Sequence, residues 1–249
     1  MFGQRSGSVA TDAALPSRHF LLLQGPCGRS YSHLQRNLEA QGHRCTRVAI
    51  NGGDLISGLF DHVVVYRRSF ADWPHWLAEK VQRKNITDLI CYGDCRPYHR
   101  EAITALQALG VRVHVLEEGY LRPNWITCEP GGVNGNSSLT RINLDGIDAA
   151  RIAEPAADTE VELHGAHWHY MMSGFAHYFW TFLLTPLFPR YISHRDLDIL
   201  GEAALWLERF GSWPMRRNRT RKALKAVDHS RRPVHLVLLQ LNGDSQLRE

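Results

Sequence analysis

The sequence predicts an α/β fold, and three observations carry that reading. Short apolar runs alternate with amphipathic segments from residue 20 to about 145, glycines close two of the amphipathic segments, and several apolar runs end in glycine-rich or charged turns. That alternation is the pattern of βαβ units around a parallel sheet. Ligands of such sheets bind beyond the C-terminal ends of the strands, so the turns there are the places to look for chemistry. With 249 residues and 44% hydrophobic content, the chain can fill one large core or two ordinary ones.

The elements follow in order. Phe20 to Leu23 reads as a first strand ending in Gln24-Gly25-Pro26. A helix fits Ser32 to Gln41, with Leu34 and Leu38 four apart and Gly42 as its stop. Arg47 to Ile50 is the second strand, and Asn51-Gly52-Gly53-Asp54 the turn after it. His62 to Tyr66 forms the third, followed by a helix over Asp72 to Arg83 that puts Trp73, Trp76, Leu77 and Val81 on one face. Asp88 to Tyr92, a helix over Arg100 to Leu109 closed by Gly110, and Val111 to Leu116 complete the series. Beyond it, residues 161–232 read as an aromatic and basic helical linker, with helices expected over Trp168 to Phe182 and Leu197 to Phe210. A strand, Val234 to Leu239, ends in Gln240-Leu241-Asn242-Gly243-Asp244. The expected organisation is a flexible stretch at 1–19, an α/β domain at 20–160, the linker at 161–232 and the start of a second α/β domain at 233–249.

Composition narrows the function classes. Net charge is +4, and much of the excess is local: Arg209, Arg216, Arg217, Arg219, Arg221, Lys222 and Lys225 lie close together. Such a cluster suits an anionic partner, a phospholipid surface, a nucleotide or nucleic acid, and equally a solvated helix face. The five cysteines, Cys27, Cys45, Cys91, Cys95 and Cys128, lack CxxC spacing and read as reduced thiols of a cytoplasmic protein. The longest apolar stretch, Phe179 to Phe188, falls well short of the ~18 residues that span a bilayer.

Two strand ends carry the candidate chemistry. Glu117-Glu118-Gly119-Tyr120-Leu121-Arg122-Pro123 follows one apolar run, and Asp94-Cys95-Arg96-Pro97 follows another. On an extended turn, adjacent Glu117 and Glu118 point in opposite directions, so one faces a ligand and the other does not. A carboxylate beside Arg122 can act as nucleophile or base, as glycosyl transfer requires, or it can be an ordinary acidic surface turn. Asn51-Gly52-Gly53-Asp54 offers close backbone approach to an anion, or a plain turn; it lacks the GxGxxG and P-loop patterns. His164, His167, His169 and His177 miss the i,i+4 spacing and carboxylate partners of a helical metal site, so no metal is expected. The aromatic run from Trp168 to Phe182 suits either a core helix or a peripheral membrane face.

Taken together, Leu23-Gln24-Gly25-Pro26, Asn51-Gly52-Gly53-Asp54, Asp94-Cys95-Arg96-Pro97-Tyr98-His99, Glu117 to Thr127 and Gln240 to Gln246 resemble the loops of capsule polysaccharide biosynthesis and export proteins of the KpsS/LipB type. The resemblance implies a Rossmann-like N-terminal half of a two-domain, GT-B-like glycosyltransferase. It implies a retaining reaction that moves β-Kdo (3-deoxy-D-manno-octulosonic acid) from CMP-Kdo to an anionic, phosphatidylglycerol-type lipid, without a cofactor and without nucleic acid. Glu118 is the expected catalytic carboxylate, with Glu117 second. Arg122, Arg96 and Asp94 would orient the anionic sugar, and Gln24, Gly25, Pro26, Asn51, Gly52, Asp54 and Gln240 would line the cleft. Location in the cytoplasm, peripheral on the inner membrane among other capsule assembly and export proteins, follows from the same resemblance. Members of that family continue through a second α/β half that binds the CMP portion, so a chain ending at Glu249 reads as truncated and is expected to transfer little by itself. The alternative is a non-catalytic component of the capsule machinery that binds lipid or partner proteins. A nucleotide-dependent oxidoreductase is disfavoured by the missing glycine fingerprint.

Overall fold

A computed structural model describes residues 16–59, 61–119, 125–143, 166–193, 199–229, 235 and 237. Its elements are β1 (His19–Leu22), α1 (Ser30–Ala40), β2 (Arg44–Ala49), α2 (Gly52–Ser57), β3 (Val63–Val65), α3 (Trp73–Lys84), β4 (Asp88–Tyr92), α4 (Pro97–Gln107), β5 (Arg112–Glu118), β6 (Ile126–Pro130), α5 (Ala166–Leu183) and α6 (Ile199–Asp228). The sheet order is β3-β2-β1-β4-β5-β6; the first five strands run parallel and β6 lies antiparallel on β5. This is the Rossmann-like α/β arrangement that the sequence predicts.

Both faces of the parallel strands are covered, which is why β1 and β4 read as unbroken apolar runs. One face sets Leu21, Val48, Leu89, Val113 and Val115 against Trp73, Leu77, Ala102 and Leu106 of α3 and α4. The other sets Phe20, Leu22, Cys45 and Ile90 against α1, through Tyr31, Leu34 and Leu38. Glycines 42 and 110 follow α1 and α4 with φ of +83° and +75°, the left-handed stop that the sequence foretells.

Several expectations need correction. Asn51 to Asp54 is not a plain turn: the Asn51 side chain accepts from the Asp54 amide and caps α2, which begins at Gly52. Glu117 and Glu118 belong to β5 itself, because pairing with β6 at Thr127 and Ile126 extends the strand through both glutamates. β6 has no counterpart in the sequence reading; it is a mixed, largely exposed edge closed by Pro130, a residue that edge strands tolerate. α4 begins three residues early, at Pro97 in the first turn, and α6 runs through the basic cluster to Asp228. The segment 1–15 and the expected strand at 234–239, bar 235 and 237, lie outside the described residues.

At the N-terminal edge of the sheet, Asp88 is buried. It accepts from Arg112 Nε and Nη2, each at 2.9 Å, and His114 Nε2 lies 2.8 Å away, joining β4 to β5. Burial pushes its carboxyl up, but hydrogen bonds from Arg112, Thr87 and His114 outweigh it and hold the group below its usual value.

At the other edge, α5 presses onto α2. A Cβ on Gly52 would lie 2.6 Å from the Leu184 Cβ and against the Trp180 carbonyl, and one on Gly53 would lie 2.6 Å from His177 Cε1. The Gly53 amide donates to Thr181 Oγ1 at 3.2 Å. The paired glycines therefore serve helix contact. Gly52→Ala is expected to lower the unfolding free energy by about 2 kcal/mol, the usual cost of forcing atoms into a packed seam. Urea unfolding measures this, and amide exchange along α5 should rise while β1 and β4 stay protected; unaltered exchange in α5 would show that the seam does not hold it.

Candidate functional site

The strand order reverses between β1 and β4, and the loops after these two strands flank the crevice where ligands of open α/β sheets bind. Arg96 spans it. Its backbone is extended at the start of α4, and its Nη1 donates to the Gln24 side-chain Oε1 at 3.2 Å and to the Gln24 carbonyl at 3.4 Å. The guanidinium also stands 5.9 Å over the Tyr92 ring, a cation–π distance.

Asp54 reaches this point from α2. Its Oδ2 accepts from the Ile50 amide at 3.4 Å, and the polar Gln24 side chain lies close to its carboxyl. Burial raises its pKa to about 6, against the lowering pull of these bonds and of the Arg96 and Arg47 charges. Asn51 is wholly buried beside it, and its Oδ1 takes the Asp54 amide at 2.8 Å. A residue from far along the chain closes the group. Tyr191, on the segment after α5, lies beside the Asn51 and Gln24 side chains and stacks on Tyr98 with 6.0 Å between rings. Burial, then the Asp54 charge, pushes its hydroxyl up to about 12.

The alternation of β5 separates the two glutamates. Glu117 follows Val113 and Val115 on the face towards α4 and is half-buried, whereas Glu118 is exposed on the opposite face. Glu117 Oε1 accepts from the Glu118 amide at 3.1 Å. Burial raises the Glu117 carboxyl, the bond to the Glu118 amide and the Arg96 charge oppose that, and the charges of Asp94 and Glu118 add to it. Arg96 thus lies within electrostatic reach of two carboxyls, Asp54 and Glu117, that bind protons more tightly than usual. Perturbed carboxyls around one guanidinium at a switch point can hold an anionic substrate and exchange a proton with it.

The remaining predicted residues do other work. Asp94 is tied to the loop after β6: its Oδ2 accepts from the Val133 amide at 2.9 Å and from Asn136 Nδ2 at 3.3 Å. Gly25 lets the Tyr31 ring pack on the backbone, where a Cβ would be 2.7 Å from the ring. Pro26 is partly exposed on the same loop, and Gly52 belongs to the α2–α5 seam. Arg122 and Gln240 lie outside the described residues, as does His164. His169 is exposed and His177 packs on Gly53. No group of three or more metal-binding side chains gathers among the described residues. The sequence reading missed Tyr191 and Thr181, which no motif or period marks.

A family model described as "Capsule polysaccharide biosynthesis protein" matches residues 87–249. The chain is 32% identical over 245 residues to the capsule polysaccharide export protein KpsS of Escherichia coli, covering 96% of this chain and 61% of that one. It is 30% identical over 182 residues to the capsule polysaccharide modification protein LipB of Neisseria meningitidis serogroup A, covering 72% of this chain and 43% of that one. The chain therefore spans less than two thirds of the length of either relative.

Asp54 makes the site testable without a substrate. Its folded value of about 6 exceeds the ordinary 3.8, so the stability it contributes is present at low pH and is lost as the pH rises through about 6. Asp54→Asn removes that loss. Between about pH 4 and pH 7 the variant should gain ~2 kcal/mol relative to the unaltered chain in urea unfolding. A difference that stays flat with pH would show that Asp54 is not a buried titrating acid.

Proposed function

Because the chain belongs to the capsule polysaccharide biosynthesis family, we propose that it forms the N-terminal half of a retaining sugar transferase that moves Kdo from CMP-Kdo to a phosphatidylglycerol-type lipid. The observation that supports this reading is the grouping of Asp54 and Glu117 around Arg96 at the switch point. Arg96 would pair with the carboxylate of the sugar. Glu117 would attack the anomeric carbon as CMP leaves with the electrons of the broken bond, and the lipid hydroxyl would then displace Glu117 from the sugar. Two inversions retain the β configuration. Asp54 would take the proton of the attacking hydroxyl, a role that suits a carboxyl with a pKa of about 6.

Glu118, the first choice from sequence, remains the alternative nucleophile; its exposure and its place opposite Glu117 favour an outer role. A second reading, a non-catalytic component that binds lipid or partner proteins, is supported by the exposed aromatic side of α5.

One assay addresses both. The chain, alone and fused to the part of Escherichia coli KpsS beyond the matched region, is incubated with CMP-Kdo and phosphatidylglycerol, and Kdo-lipid is read by mass spectrometry. The fusion should transfer, and Glu117→Gln should lower turnover at least about a hundredfold with folding intact. Undiminished turnover in both Glu117→Gln and Glu118→Gln would remove the acidic pair from the mechanism. Lipid binding with no transfer by the fusion would favour the non-catalytic reading.

A further inference from the structure

Apart from the crevice, a concavity of ≈ 580 Å³ lies between α1, α2 and α5. That size falls within the ~300–1,000 Å³ range of small-molecule sites. Two helices each line it with one face. Ser32, Gln35, Arg36 and Glu39 recur along α1 at i, i+3, i+4 and i+7, and Ser173, Ala176, His177 and Trp180 repeat that spacing along α5. Ser173 and Ala176 are small, which leaves room between the helices.

The chemistry of the lining selects the ligand. Arg36 and Glu39 are neighbours on α1, so an anion drawn to the one meets the other, and a cation fares no better. Asp61 is already paired with Arg47, and Arg29 stands exposed at the start of α1. A hydroxyl, which both donates and accepts, can bond to each member of such a pair. Gln35 asks for the same group. It is 1% exposed, its Nε2 donates to Glu39 Oε1 at 2.9 Å, and its Oε1 has no donor among the described residues. Because Glu39 only accepts, turning the amide round would not satisfy that oxygen. Buried carbonyl oxygens are seldom left so. A bare phosphate has no proton to give it, and an ammonium that had one would face Arg36. Trp180 adds an indole to the lining, apolar surface on which the C–H face of a sugar ring can pack.

From this juxtaposition of a mixed-charge helix face, an oxygen short of a donor and an indole, we infer that the pocket between α1, α2 and α5 binds an uncharged sugar residue. One sugar hydroxyl would donate to Gln35 Oε1, vicinal hydroxyls would bridge Arg36 and Glu39, and the ring would lie on Trp180. Such a ligand is neither the anionic donor nor the lipid of the proposed transfer reaction, so the site stands apart from that reading.

Saturation-transfer NMR on the 249-residue chain tests it. The probes are the methyl β-glycosides of glucose, galactose and N-acetylglucosamine, with those of glucuronic acid and glucosamine as charged counterparts. At least one neutral glycoside should bind, about tenfold more tightly than either charged sugar. Ala176→Trp, which fills the hollow from an exposed position, should abolish the signal, and Gln35→Leu should weaken binding about tenfold. Glu39→Gln, which keeps an acceptor for Gln35 but removes the charge, should let the glucuronide bind as well as the neutral sugar. Circular dichroism checks that each variant is folded. No binding of any of the neutral glycosides, equal binding of the charged forms by the unaltered chain, or binding that survives both Ala176→Trp and Gln35→Leu would overturn the inference. Neither CMP-Kdo nor lipid enters the measurement, so loss of the transferase reading and loss of this site are separate results.

Discussion

The site depends on how closely α5 can approach α2. Two consecutive glycines, Gly52 and Gly53, bring the α2 backbone against Trp180 and His177, with the Gly53 amide held by Thr181. That contact leads the chain on to Tyr191, which covers Asn51 and Gln24 and helps exclude water from Asp54. It also sets Ser173, Ala176 and Trp180 of α5 against a concavity shared with α1 and α2, with Phe175 and Phe179 exposed on another side of the helix. A side chain at either glycine would push the helix outward, so the burial of Asp54 and the wall that α5 lends to that concavity depend on the same contact.

Within that frame Arg96 sets the electrostatics. Its guanidinium is shared between the Gln24 loop and two carboxyls that burial makes reluctant to ionise. A substrate carboxylate entering the crevice would compete for the same guanidinium and raise the proton affinity of both acids further. Binding of an anion and proton transfer are thus coupled through one residue, which suits a reaction whose donor is anionic and whose acceptor must lose a proton.

Much of this was legible in the sequence. The parallel sheet was visible because its strands are buried on both faces and read as apolar runs, and α1 and α4 end at glycines that a left-handed stop demands. The loops of the crevice were legible as charged strand ends. Local pattern did not reveal which of those residues meet. Asp94 and Arg96 are two residues apart, yet one anchors the loop after β6 and the other spans the switch point. β6 was hidden because an exposed edge strand carries no apolar period, and its pairing is what draws Glu117 and Glu118 out of the turn and onto opposite faces of the sheet. Thr181 is brought to the site by the α2–α5 contact, and Tyr191 by that contact together with its stacking on Tyr98, tertiary effects with no local signature.

The two edges of the sheet show why burial alone does not mark a functional acid. Asp88 and Asp54 are both buried aspartates within reach of arginine, and burial pushes both upward. At Asp88 the opposing bonds are complete: two nitrogens of Arg112, His114 and Thr87 satisfy both oxygens, and the carboxylate is held low and fixed between two strands. At Asp54 the bonds are fewer and longer, Arg96 is engaged by Gln24, and burial prevails. The first aspartate has nothing left to offer a ligand. The second titrates at about pH 6, close enough to neutrality to take and release a proton, beside a cation that an anionic substrate can claim, and it is this incomplete satisfaction that distinguishes the candidate site from a structural ion cluster.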